Sequence, residues 1–317
     1  LCKSVVESAD KFSGPQRIAI IGSGAVGCYY GGRLVEGGND VHFLMRSDLE
    51  AVRERGLQVK SVKGDFHLTN VNAYRTTLHI GACDLVIIAL KATANPVLPD
   101  ILPPLLKEDT VLVTLQNGLG NDGFLAENFG ADRVVGGLCF VCINRTAPGV
   151  IEHTSQGMIS LGDFTGSGHA AAVAELFQRS GIDGRMVENL ACEQWKKLVW
   201  NVPFNGLSIV AGGVDTEKIL ASPPLELLVR ELMHEVVGAA AELGHALPLS
   251  LVDEMVTRTR TMGGYKPSSL IDYLEGREVE VEAIWGEPCR RATSAGAGAG
   301  RLEMLYHLIK HLVATDR

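Results

Sequence analysis

Gly22, Gly24 and Gly27 follow the apolar run Arg17-Ile-Ala-Ile-Ile21 in GxGxxG spacing, which suits a phosphate cradle. Gly22 permits a tight turn, Gly24 lets a pyrophosphate approach the backbone, and Gly27 allows a helix to pack closely on the preceding strand. With Ser23, Ala25 and Val26 these glycines form the expected dinucleotide loop, since unpaired N–H groups and the helix dipole attract phosphate there. Arg46 and Ser47 end the next strand, where NAD-binding units usually place a carboxylate for the ribose 2′-hydroxyl. A guanidinium can instead bind a 2′-phosphate through charge-assisted hydrogen bonds, so NADP(H) is expected over NAD(H). Two alternatives stay open: Asp48 as a ribose ligand, and Arg46 as a plain surface residue.

Three further positions carry chemical groups. Lys91 follows the buried run Asp84-Leu-Val-Ile-Ile-Ala-Leu90, and ligands of open α/β sheets bind beyond such strand ends. Cofactor phosphate or nicotinamide is its expected partner; a solvated loop lysine is the alternative. Asn117 follows the run Thr110 to Leu115, and its amide suits a nicotinamide carboxamide, a ribose or a substrate carbonyl. Asn-Gly is also a common turn pair. Lys197, Asn201 and Asn205 are spaced by four on a predicted helix and form one polar stripe, with Trp200, Phe204 and Leu207 off it. One ammonium and two amides beside aromatic rings are unusual for a solvated face, although a surface reading stays open. Pro203 has no N–H for the carbonyl of Val199, which predicts a bend.

The elements that must position these groups follow from the pattern. Strand 17–21, helix 25–36 and strand 41–45 make a complete βαβ unit. Residues 56–70 read as a small hairpin about Lys63-Gly64, and residues 150–161 as a second hairpin about Gln156-Gly157. A helix over about 168–180 and a short strand at 185–188 complete the first part. From 189 on the pattern is almost wholly helical. The expected fold is an α/β Rossmann-type N-terminal domain over 17–188 followed by an all-α C-terminal domain over 189–317. Residues 1–16 read as a disordered leader or upstream remnant, without an apolar core of signal-peptide length.

A chain of 317 residues with 46% hydrophobic content supports two cores. Its apolar runs are too short to span a bilayer. A formal charge of −8 and a pI near 5.6 argue against nucleic acid as a partner. Seven scattered cysteines suggest reduced thiols, and a cytoplasmic enzyme is the default. Cys139 and Cys142 match CxxC, but three residues apart on a strand they face opposite sides. His307 and His311 lack an evident third ligand, so no metal is expected.

Together these pieces resemble the ketopantoate reductase family. The matching text is the Gly22–Gly27 loop, Arg46, Leu90-Lys91-Ala92, Gln116-Asn-Gly118, Trp195-Lys-Lys-Leu198 with Asn201 and Asn205, and Lys266-Pro-Ser268 leading to Gly276-Arg277 and Glu280. The resemblance runs from about residue 16 almost to the C-terminus. It implies NADPH-dependent reduction of ketopantoate, with Lys197 as proton donor and Glu280 as its partner. It assigns Asn117, Asn201, Asn205 and Ser268 to the substrate, with Ser269 as the alternative to Ser268. Hydride arriving at a ketone builds negative charge on oxygen, which an ammonium can stabilise and then protonate. The partner is then a small 2-oxo acid, with a homodimer allowed. Two departures bear on substrate choice. Asp215 lies where the family often has an amide, and its charge would oppose a substrate carboxylate. The Gly-Ala loop 294–300 replaces a proline-bearing turn. Another 2-oxo acid, or a non-catalytic NADP(H) sensor, are the competing readings; the presence of both Lys197 and Glu280 speaks against the sensor.

Overall fold

The computed structural model describes residues 11–315. They fall into two compact units: one runs to Gln116 and resumes from Asn121 to Leu190, and the other takes Asn117–Gly120 and everything from Ala191. The boundary therefore lies two residues beyond the expected end at 188.

The first unit is built on β1 (Arg17–Ile21), α1 (Ala25–Glu36), β2 (Asp40–Leu44), α2 (Leu49–Arg55), β3 (Leu57–Ser61), β4 (Phe66–Leu68), β5 (Asn72–Tyr74) and β6 (Leu85–Ile88). After α3 (Leu98–Ile101) come β7 (Val111–Thr114), α4 (Asn121–Phe129), β8 (Val134–Ala147), β9 (Val150–Asp163), α5 (His169–Arg179) and β10 (Asp183–Met186). The strands form one sheet in the order β4-β3-β9-β8-β7-β6-β1-β2-β5, with β10 paired to β9. β1 pairs in parallel with β2 on one side and β6 on the other. Alternate residues of β1 enter different cores, Ile18 and Ile20 on one face and Ala19 and Ile21 on the other. All four are fully buried, which explains why the strand reads as a continuous apolar run.

Two expectations are corrected here. Gln156-Gly157 is not a hairpin turn: β9 runs through it unbroken, and the turn lies at Pro148-Gly149 between β8 and β9. The register shifts there, with Phe140 opposite Met158 and Val141 opposite Gln156, so Gly157 is the extra residue of a bulge. Both bulge residues have positive φ, 66° and 101°, which is why the pair looks like a turn in the sequence. Residues 11–16, expected within a disordered leader, belong to the described structure. Phe12 is 1% exposed within the sheet's core, and Lys11 Nζ donates to the carbonyl of Asp109 at 2.6 Å. Residues 1–10, Cys2 among them, lie outside the described residues; the other six cysteines form no disulfide among the described residues.

The second unit contains α6 (Leu190–Val210), α7 (Thr216–Ala221), α8 (Pro223–Glu242), α9 (Ser250–Arg260), α10 (Ser268–Leu274), α11 (Glu287–Ser294) and α12 (Gly300–Thr315). A π-helical turn, Glu282–Gly286, leads into α11. α8 packs against α7, α9, α11 and α12. Helix α6 contributes Trp195, Leu198, Val199, Val202, Phe204, Leu207 and Ile209 to a single core. It stays one helix through Pro203, and Trp285 Nε1 donates to the carbonyl of Val202 at 3.0 Å. No helix among the described residues is long and apolar enough to cross a membrane.

Candidate active site

The glycine loop sits where β1 and β6 end side by side. Gly22 has φ of 106°, and a Cβ there would lie 2.3 Å from the backbone nitrogen of Leu90, which follows β6. A Cβ on Gly27 would lie 2.1 Å from the carbonyl oxygen of Gly22. The turn and the helix packing therefore each require glycine. Gly24 differs: its φ is −79°, and nothing lies within 4 Å of where its Cβ would be. No protein contact explains a glycine there, whereas an approaching pyrophosphate does. Helix α1 has no side-chain cap and no acidic residue in its first turn, as an anion site at its N-terminus requires. Ser23 Oγ donates to the carbonyl of Leu44 at 2.8 Å, tying the loop to the end of β2. Ala25 and Val26 open α1, and both pack against the sheet's core.

Beyond β2, Arg46 and Ser47 are exposed, while Asp48 is 3% exposed. Asp48 Oδ1 accepts from Ser47 Oγ at 2.8 Å and from Arg145 Nη1, and its Oδ2 accepts from the backbone N–H of Gly149 at 3.0 Å. Both carboxylate oxygens are engaged by the protein, so the alternative of Asp48 as a free ribose ligand is disfavoured. Lys91 caps the short helical turn after β6 and is half-buried.

Asn117 follows β7 in sequence but clusters with the helical unit. Leu119 N–H donates to the carbonyl of Ala283 at 2.9 Å, and a Cβ on Gly118 would lie 2.3 Å from that same oxygen. This approach carries Asn117 to helix α6, where its Oδ1 accepts from Lys197 Nζ at 2.8 Å. A strand-end reading could not anticipate the partner, because the close approach at Gly118 is a long-range event.

The polar stripe of α6 is not a solvated face. Asn201 and Asn205 are 8% and 2% exposed, and Lys197 is half-buried. Asn205 Nδ2 donates to the carbonyl of Asn201 at 3.0 Å, and its Oδ1 accepts from the backbone N–H of Ser269 at 3.1 Å. Ser269 is buried and Ser268 exposed, so the gapless choice of Ser268 is the outer of the two at the start of α10. Ser208 continues the row three residues on, fully buried, with its hydroxyl unpartnered among the described residues. Helical spacing alone would have found it. Lys196 turns elsewhere and pairs with Glu193 at 3.2 Å.

Glu280 is 8% exposed and stands just before the π-helical turn, a distortion that recurs at functional sites. Within that turn, burial opposes the charge of Glu282, but hydrogen bonds from Arg290, Tyr306 and Lys310 outweigh it and bring its pKa down to about 2. Asp215 serves the fold, since its Oδ1 accepts from the N–H of Lys218 at 2.9 Å and so caps α7. His307 sits 4.0 Å from Glu303 on α12 and is exposed.

The arrangement thus supplies a glycine loop fit for an anion in one unit and, in the other, a half-buried lysine with buried amides and a buried carboxylate. The family models for ketopantoate reductase PanE/ApbA match residues 18–166 and, for the C-terminal part, residues 189–313. The chain belongs to the ketopantoate reductase family. A 2-dehydropantoate 2-reductase from Nostoc sp. is 40% identical over 309 residues, covering 95% of this chain and 97% of the relative. The crystal structure of a 2-dehydropantoate 2-reductase from Geobacter metallireducens GS-15 is 43% identical, with a TM-score of 0.90 over 93% of this chain and 99% of that one. The corresponding structure from Methylococcus capsulatus is 34% identical, with a TM-score of 0.85 over 93% and 96%. Ketopantoate reductases are pyridine-nucleotide oxidoreductases, and the Rossmann-type unit followed by a helical unit is the architecture seen here.

Proposed function

We propose that this enzyme reduces 2-dehydropantoate to pantoate with NADPH, in pantothenate biosynthesis. The observation that carries the reading is Lys197, half-buried on a helix whose Asn201, Asn205 and Ser208 are buried, with its ammonium held by Asn117 Oδ1. When bound, the nicotinamide supplies a hydride to the ketone carbon. Lys197 then stabilises the alkoxide charge that develops on oxygen and gives it a proton. An ammonium has three donors. The bond to Asn117 helps fix the orientation of the ammonium. Glu280 orients the lysine and accepts a hydrogen bond from the product hydroxyl. Asn201, Asn205 and the serine pair at the start of α10 hold the substrate, and Lys91 and Asn117 meet the cofactor.

NADP(H) is favoured over NAD(H) because Arg46 is exposed while the neighbouring carboxylate of Asp48 is buried and engaged. Six cysteines without a disulfide among the described residues suit a reducing compartment, so we place the enzyme in the cytoplasm.

The test is NADPH oxidation across a panel of 2-oxo acids. 2-Dehydropantoate should give the highest kcat/KM. A faster alternative would move the substrate, and no turnover with any of them would leave an NADP(H) sensor.

A further inference from the structure

The tip of the β8–β9 hairpin folds onto the loop that follows β2. Gln58 N–H donates to the carbonyl of Gly149 at 2.9 Å, and Val150 pairs with Gln58 where β9 runs beside β3. Gly149 in turn donates to Asp48, so the tip is fixed on both flanks. This brings Arg145, 97 residues further along, onto the same carboxylate oxygen that accepts from Ser47. The Arg145 side chain is 38% exposed and that of Asp48 only 4%. Arg145 uses Nη1 on Asp48, and its other nitrogens have no partner among the described residues. A guanidinium carries five donors in a planar fork, suited to two anions at once.

The pair also lies close to the glycine loop. Cys28, in the first turns of α1, donates to the carbonyl of Ser23. Burial pushes its thiol up to about 12, with Asp48 adding to the shift and Arg145 opposing it. A bare carboxylate at Asp48 would repel any phosphate on the ribose next to Arg46 and Ser47.

We propose that Arg145 is a second cationic ligand for the ribose 2′-phosphate, completing a site with Arg46 and Ser47 while it neutralises Asp48. This rests on the NADP(H) reading above. It makes nucleotide choice depend on a hairpin that the glycine-loop motif does not include.

The test uses the full chain and two probes, adenosine 2′,5′-bisphosphate and ADP, with calorimetry as the readout, so that turnover plays no part. Arg145→Ala should weaken the bisphosphate by about tenfold or more, the scale of a charge-assisted hydrogen bond, and ADP by less than about twofold. Arg145→Lys should keep part of the affinity. Asp48→Asn removes the repelling charge but leaves one acceptor oxygen where Asp48 has two, so the bisphosphate should stay clearly tighter than ADP. Should Arg145→Ala not fold, Asp48→Asn with and without Arg145→Ala gives the same comparison without a buried unpaired charge. Equal loss of both probes would make Arg145 merely structural and overturn the proposal, as would no loss of either. A wild type that binds both probes equally would instead remove the NADP(H) assignment itself.

Discussion

Replacing Lys197 by alanine removes the ammonium on which the proposed chemistry depends. A positioned general acid is worth about 10²–10⁴ in rate, or about 2.7–5.5 kcal/mol of transition-state stabilisation. The folded state should lose far less. Lys197 is half-buried, and its bond to Asn117 Oδ1 at 2.8 Å ends on a half-buried amide that water can satisfy. Loss of that bond costs about 1 kcal/mol net, which shifts Tm by about 2–4 °C in a protein of this size. Steady-state kinetics with a saturating 2-oxo acid should therefore show kcat reduced by about 10²-fold or more, with NADPH affinity nearly unchanged and the melting curve close to wild type. Glu280→Gln should slow turnover too, and the double variant should lose less than the product of the two, because the groups act as a unit. Lys196 is the internal control: it lies about 100° around the helix. It is already paired with Glu193 at 3.2 Å. Wild-type kcat in Lys197→Ala, or an equal loss in Lys196→Ala, would refute the assignment.

Other outcomes follow from the same geometry. Gly24→Ala should leave the melting temperature unchanged and abolish NADPH binding, since its Cβ would meet only ligand; Gly22→Ala should destabilise the fold, because its φ of 106° costs about 1–3 kcal/mol and Leu90 blocks the Cβ. Calorimetry and thermal melts separate the two, and unimpaired binding in Gly24→Ala would remove the loop assignment. Arg46→Ala should weaken NADPH by about 1.5–3 kcal/mol, roughly 10- to 150-fold, and NADH hardly at all; equal losses would contradict a 2′-phosphate role. Glu282, lowered from 4.5 to about 2, contributes stability that is fully present above pH 4.5 and is lost as pH falls through 2. Being partly exposed, it contributes no more than about 1 kcal/mol after solvent screening. Acid titrations of Glu282→Gln should show that part of the acid sensitivity removed, and an unchanged profile would show that the ion network is idle.

Local signals carried most of the fold. The GxGxxG loop, the isoleucine strand and the four-residue spacing on α6 each depend on neighbours within one or two turns, and all three appear where the pattern puts them. What could not be read was set by long-range contacts. Asn117 has its place because Gly118 lets the backbone of Ala283 approach, across 165 residues. Asp48 resembles a ribose ligand in the sequence because Arg145 and Gly149, its partners, lie about a hundred residues away. Gln156-Gly157 misleads for a different reason: positive φ serves a bulge as well as a turn. Asp215 caps α7, a role that Asp before a helix takes often and that its spacing from the lysine stripe does not reveal.

The central claim is that hydride passes from a nicotinamide to a 2-oxo carbon while the chain supplies the proton. The direct measurement is mass spectrometry of the product formed from 2-dehydropantoate and NADPH deuterated at both C4 positions. One carbon-bound deuteron at C2 of pantoate, in every product molecule, is the predicted result. Pantoate formed without deuterium at C2, or no pantoate at all, would contradict the account.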